Sequence, residues 1–437
     1  MRDLLLVGFL FITIYFCFKK PFLGVAAWTF IALLAPANWA FGFSNSFRLN
    51  LTVVIITLLS YLFVQKNKKL AFNGLSFWVL AFAIWTLISS FNAFNSDIAL
   101  EYWNQFIRVL LLYFAITFIV TKKLHIDTLI WVIVLAISSY AAMEALKFIL
   151  SGGSHQIGGR SGMLRNRNDF AVAINMCLPL ILYLVFVTKD FHLKLGLWGL
   201  FLGNILAIIG TGSRGGFIGL AILALAFWLK SNRKMLWLLL AIIILPTAYQ
   251  FTPEHWRERQ DTIQTAATED GSFIGRLWAW KISVMIANDN PATGGGFRAV
   301  LNPIIWHSYA PFTPGFGPIS TPEIPENSGT LAAHSIYFQV LGDHGYIGFI
   351  IFLFILLLAY LTNIKNKKYA LANNQLWVVE LSKALNLAII GFAITGANVS
   401  LAYFDLLYAI FGIIAVIKIY KLHANLHPNS GIDNNKT

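Results

Sequence analysis

Charge is scarce in this sequence. Only 12% of its 437 residues are Asp, Glu, Lys or Arg, roughly half the share of a soluble domain. That excludes an ordinary water-soluble chain. Cysteine is nearly absent: Cys17 and Cys177 both fall inside apolar runs, without metal-ligand or disulfide spacing. No HExxH or paired CxxC occurs, so a zinc enzyme is not expected. No Gly-rich phosphate loop and no Gly-x-Ser-x-Gly occurs, so ATP-driven and serine-hydrolase chemistry have no support. Alternating polarity is missing as well. Ile351–Ala359 is apolar at every position, which argues against a β-barrel. No cleavable signal is evident at the start.

What is present is hydrophobicity: 58% of residues are apolar and the mean hydropathy is +0.69. Apolar runs cover 3–18, 22–37, 50–65, 74–91, 103–120, 127–150, 168–188, 195–210, 213–229, 235–250, 345–361, 377–397 and 401–418. A spanning helix needs about 20 apolar residues. The chain therefore reads as an all-α, polytopic membrane protein of 12 to 13 helices, whose first two runs are short enough to form a half-inserted hairpin. Its formal charge of +13 does not point to nucleic acid, because the basic residues sit in short clusters between apolar runs.

Every second connection carries lysine: Lys19-Lys20, Lys66–Lys69, Lys122-Lys123, Lys189–Lys194, Lys230–Lys234, Lys365–Lys368 and Lys418–Lys421. The positive-inside rule makes these cytoplasmic. The opposite set, 38–49, 92–102, 151–167, 211–214 and the long stretch 251–344, is then external. This divides the chain into ten helices over 1–250, an external loop 251–344, a C-terminal helical part 345–418, and a polar, disordered tail 419–437.

The long loop holds most of the polar interest. Residues 253–268 read as an exposed helix, and 276–287 as a Trp-rich amphipathic helix suited to the membrane interface. Asn290-Pro291 and Gly294–Gly296 break it, and 302–330 is rich in Pro, Gly, Ser and Thr. His334–Leu341 reads as two helical turns, interrupted by Gly342-Asp343-His344-Gly345.

External arginines go against the topological bias, and that singles them out. Arg214 lies in Gly210-Thr-Gly-Ser-Arg-Gly-Gly216, where small residues leave room for an anion and the guanidinium supplies a fork of donors. Arg276 opens the Trp-rich helix, and Arg160, Arg165 and Arg167 crowd another external loop. Each of these also fits a cation resting on lipid phosphates. Asn168 and Asp169 fit a helix cap. His334 has an ordinary pKa suited to a general base, yet its neighbours Ala332, Ala333 and Ser335 are small and neutral, as for many structural histidines. His307 and His344 compete with it.

One pattern is more specific. His334-Ser335, nine residues, then Gly345-x-x-Gly348 resembles the His-[Asn/Ser/Gln]-x9-Gly-x-x-Gly of bacterial O-antigen ligases. That superfamily also holds O-antigen polymerases and protein O-oligosaccharyltransferases. Ser213-Arg214-Gly215, Gly275-Arg276 with Trp280, Pro291–Gly296, and Arg167–Ala171 resemble further family segments. Met1–Leu6 with Pro21–Trp28 is similar to a branch of O-glycosylation ligases associated with exosortase systems.

The resemblance implies a GT-C-like glycosyltransferase in the bacterial inner membrane, with its active site facing the periplasm. The implied donor is a glycan on undecaprenyl diphosphate, and the acceptor is lipid A–core. A protein Ser/Thr acceptor such as a pilin, or a growing glycan, is the alternative within the family. His334 would be the base, Arg214 and Arg276 would hold the diphosphate, and Arg160, Arg165, Arg167, Asn168, Ser213 and Ser335 would contact diphosphate or glycan. No metal or other cofactor is expected, since the external loops carry no Asp-x-Asp pair. A lipid-linked glycan transporter is the reading from another class. It would need charges buried mid-helix, and few are visible.

Overall fold

The computed structural model describes residues 2–39, 48–65, 68, 72–159, 164–230, 234–235 and 271–426. Among these residues there are helices and turns and no strands. Each apolar run except 235–250, which lies almost wholly outside the described residues, forms a helix over most of its length. Seven of the described helices are long and apolar enough to cross a membrane: Gly74–Phe91, Ser96–Ile119, Lys123–Leu150, Arg167–Val187, Phe191–Thr211, Ile336–Ala372 and Leu376–Asn398. Four shorter apolar helices accompany them: Leu6–Lys19, Pro21–Leu34, Leu49–Phe63 and Arg214–Leu229. Pro21–Leu34, at 14 residues, reaches only about 21 Å, against a hydrocarbon core of about 30 Å. The protein is thus an all-helical, multi-pass membrane protein.

The last helix, Asp405–Leu426, sits at the centre of the bundle. Leu406–Ala409, Phe411 and Ile413–Ala415 are all at most 1% exposed. A helix apolar on every side is buried on every side. This helix runs on to Leu426, into the segment read from sequence as a disordered tail. Polar pairs join helices in the interior: Asn204 Nδ2 donates to Ser138 Oγ at 2.8 Å, and Asn363 Nδ2 donates to Asn386 Oδ1 at 2.8 Å. Such pairs satisfy groups that lipid cannot.

The connections sort to two ends, as the lysine alternation requires. At the lysine end Phe22 stacks on His125 at 4.0 Å, the Lys123 ammonium lies over the Trp377 ring, and Asn73 Nδ2 donates to Ala415 O. At the opposite end Phe94 N–H donates to Gly295 O at 3.2 Å, and Ile157 N–H donates to Gly210 O at 3.1 Å.

The long loop is built on the helix Gly271–Asp289. Its buried residues include Ile274, Leu277, Ala279, Lys281, Ile282, Ser283 and Ile286, which spread around most of its circumference. This corrects the interfacial amphipathic reading: the helix packs inside the protein, against Ile336–Ala372 on one side and a small core with Val300, Trp306 and Ile324 on another. Three of its side chains reach the following loop. Trp278 Nε1 donates to Pro322 O at 2.9 Å, Lys281 Nζ to Thr313 O at 2.6 Å, and Trp280 Nε1 to Ala333 O at 2.6 Å. The expected helix over 253–268 lies outside the described residues.

The span Ile336–Ala372 is two helical segments that meet at a kink at Gly345 (φ 66°, ψ −170°). Sequence placed the interruption across Gly342–Gly345, but Gly342–His344 remain helical. That backbone conformation is essentially open only to glycine. A break frees backbone groups that must find partners elsewhere. Here the Pro291–Gly296 turn supplies them: Gly295 N–H donates to Gly342 O at 2.9 Å and Gly296 N–H to Asp343 O at 2.8 Å. In return Tyr346 N–H donates to Pro291 O at 2.8 Å. Gly348 is held small by packing, since a Cβ there would lie 2.4 Å from His344 Cβ.

Candidate functional site

His334 precedes the helix rather than riding on it, which corrects the expected two turns from His334. Its φ of 43° is left-handed, a conformation that costs a non-glycine residue about 1–2 kcal/mol. Two contacts hold the chain there. The Trp280 indole bonds the preceding carbonyl of Ala333, and His334 N–H donates to Ser400 Oγ at 2.9 Å. Trp280 also stacks on Phe338, ring centres 4.9 Å apart and nearly parallel. The imidazole is partly exposed. Burial first, and then the nearby positive charge of Arg276, hold its pKa below the ordinary 6.5. The neutral ring, the form able to accept a proton, therefore prevails at neutral pH.

Arg276 lies one turn before Trp280 on the loop helix. Its Nη1 donates to Asn398 Oδ1 at 3.2 Å. Asn398 in turn touches the Arg214 turn: a Cβ on Gly215 would lie 3.0 Å from Asn398 Cβ and 3.2 Å from its Nδ2. Arg214 opens the helix Arg214–Lys230. Ser213 caps that helix, its Oγ accepting from Gly216 N–H at 3.2 Å. A hydroxyl spent on a cap, in a residue 5% exposed, is poorly placed to meet ligand as well.

The helix Arg167–Val187 packs beside this turn. Asn175 Nδ2 donates to Gly216 O at 2.9 Å, and Ala171 Cβ lies 2.6 Å from where a Gly216 Cβ would sit. Arg167 and Asn168 are therefore about one helical turn from the Arg214 segment. The cap of their helix is Asn166, whose side chain accepts from Asn168 N–H at 2.9 Å, and not Asn168 or Asp169 as the sequence suggested. Arg165 is exposed just before it, and Arg160 lies outside the described residues. Ser335 is 1% exposed, beneath His334.

The structure thus brings Arg276, His334 and the Gly215 backbone next to Arg214 against one short turn, Gly396–Ser400, that sequence reasoning passed over. Asn398 and Ser400 are lone polar residues between two apolar helices. The signal available was position: this turn falls at the end of the molecule opposite the lysines.

The competing histidines separate cleanly. His307 is exposed on the short helix Pro303–Tyr309. His344 is fully buried, with Nδ1 2.8 Å from Ser89 Oγ and Phe82, Phe297 and Tyr403 packed around the ring. Beside it the buried Asp343 accepts a hydrogen bond from Tyr403 OH at 3.0 Å. This second polar cluster fixes the helix break and is closed to solvent.

Comparison with known families gives two matches. Residues 199–353 match the family described as O-antigen ligase, and residues 1–188 match one described as a family of unknown function. Arg214, Arg276, His334 and the Gly345–Gly348 break all lie in the first segment. Arg165, Arg167 and Asn168 lie in the second, and the Gly396–Ser400 turn lies in neither. Among curated proteins none matches the chain.

Proposed function

Because residues 199–353 match the family described as O-antigen ligase and the chain is a multi-pass membrane protein, we propose that the chain transfers a glycan from undecaprenyl diphosphate to an acceptor hydroxyl, with lipid A–core as the acceptor. The carrying observation is the neutral, partly exposed His334 within electrostatic reach of Arg276, beside the Arg214 turn.

Each residue type suits one part of this transfer. The acceptor hydroxyl attacks the anomeric carbon while His334 takes its proton. The C–O bond to the diphosphate breaks, and the negative charge gathering on the leaving phosphate is met by Arg214 and Arg276. A fixed guanidinium costs no reorganisation when that charge develops. A single displacement inverts the anomeric centre. On this reading the site faces the periplasm of the inner membrane, and Arg167 and Asn168 flank the glycan. The 302–330 loop, bonded to the loop helix through Trp278 and Lys281, would set the choice of acceptor.

The test is His334→Ala expressed in a strain lacking its own copy. Loss of the long lipopolysaccharide ladder supports the ligase. Loss of glycan mass from a pilin or another exported protein, with the ladder intact, moves the acceptor to protein. Unchanged patterns in both remove His334 from the mechanism.

A further inference from the structure

Resting on that reading, we infer that the turn Gly396–Ser400 is a positioning template for the reaction: Asn398 orients Arg276 and the Arg214 turn, and Ser400 holds the backbone of His334 in its productive conformation. Three separated parts of the chain meet this turn. Arg276 bonds the Asn398 side chain, Gly215 rests against it, and His334 N–H bonds Ser400. The sequence separations, 122 residues for the Arg276 bond and 66 for the His334 bond, mean that no local structure brings these groups together. Something must set their mutual geometry, and this turn touches all three segments.

The turn is itself rigidly seated. A Cβ on Gly396 would lie 2.7 Å from Ile336 Cδ1, so the turn is packed on the first residue of the helix that follows His334. Thr395, just before it, bonds Gly391 O and meets Gly219 of the Arg214 helix. A left-handed His334 is unfavourable in isolation. The Ser400 hydroxyl offsets that cost by accepting a backbone N–H that no helix satisfies. Asn398 is neutral, which has a consequence for charge. Its amide orients Arg276 through Nη1 without bringing a negative charge of its own to the guanidinium. The turn carries no ionisable side chain. After burial, Arg276 is the charge that acts on His334, and the Tyr337 hydroxyl is turned to Ala393 O.

The experiment uses full-length protein in nanodiscs, with a defined lipid-linked oligosaccharide donor and purified lipid A–core. Turnover and donor KM are read across pH for Ser400→Ala, Ser400→Thr, Asn398→Ala, Asn398→Asp and His334→Ala. Ser400→Ala and Asn398→Ala should each lose roughly tenfold to a hundredfold in kcat, while folding normally by size exclusion. Ser400→Thr should recover most of the loss. Asn398→Asp should move the acid limb of the kcat profile to higher pH, because a carboxylate beside Arg276 offsets the charge that depresses His334. Packing alone would leave that limb in place. Wild-type kcat in both alanine variants overturns the template, as does a limb unmoved in Asn398→Asp. Full activity of His334→Ala instead overturns the transfer mechanism on which the template rests. Inactive His334→Ala with active Ser400→Ala and Asn398→Ala removes the template alone.

Discussion

His334 and His344 stand ten positions apart and have opposite lives. His334 sits before its helix, left-handed, partly exposed, with an arginine as its electrostatic neighbour. His344 lies inside the same helix, fully buried, bonded to Ser89 and boxed by aromatic rings. Both are held by a serine, but at different atoms. Ser89 bonds the imidazole itself, whereas Ser400 bonds the His334 backbone and leaves the ring unspent. A ring tied at Nδ1 and closed to solvent serves the fold; a ring whose main chain carries the restraint is available for chemistry.

The contrast breaks most sharply by removing each ring. His334→Ala is expected to lose about 10²–10⁴-fold in glycan transfer with an unchanged melting temperature, measured on purified protein. Gly345→Ala is expected to act on folding, by at least about 3 kcal/mol. Its Cβ would lie 2.6 Å from Ala292 O and 2.7 Å from Pro291 O, in a conformation other residues avoid. Loss of monodisperse protein in fluorescence-detected size exclusion checks this. His344→Leu should cost about 1 kcal/mol, since Ser89 loses the ring but keeps its bonds to Thr293 O and Asp343 O, seen as a slightly lower melting temperature with turnover per folded molecule retained. If His344→Leu abolished turnover while folding normally, the division of labour between the two histidines would be wrong.

The smallest effect lies in pH. Because burial and Arg276 lower the His334 pKa, the acid limb of kcat should fall below the ordinary histidine value of 6.5. Removing a positive neighbour favours the protonated ring, so Arg276→Ala should raise that limb even as it lowers the rate. An acid limb unmoved by Arg276→Ala would separate the two residues electrostatically.

Much of the architecture was readable because membrane helices announce themselves through long apolar runs. The lysine-bearing connections likewise indicated which loops share an end, and contacts such as Phe94 with Gly295 agree. Arg214, Arg276 and His334 were legible as polar residues with a patterned spacing. Two things were not. The pairing of Pro291–Gly296 with Gly342–Tyr346 uses backbone groups, which leave no mark on side-chain identity. Asn398 and Ser400 are single polar residues in a short turn, and their importance comes from what folds against them. The cap of Arg167–Val187 was misplaced for a smaller reason: Asn166 and Asn168 are both good caps, and only the backbone decides between them.

The three anchors that tie the loop helix to its loop share a property with a long reach. Trp278, Lys281 and Trp280 donate to the main-chain oxygens of Pro322, Thr313 and Ala333. A carbonyl oxygen is present whatever side chain sits at the position. Apart from Thr321, whose hydroxyl also accepts from Lys281 Nζ at 3.1 Å, the loop can therefore diversify its surface while staying moored in the same place. The loop's outer face can thus be rewritten without rebuilding the helix that anchors it.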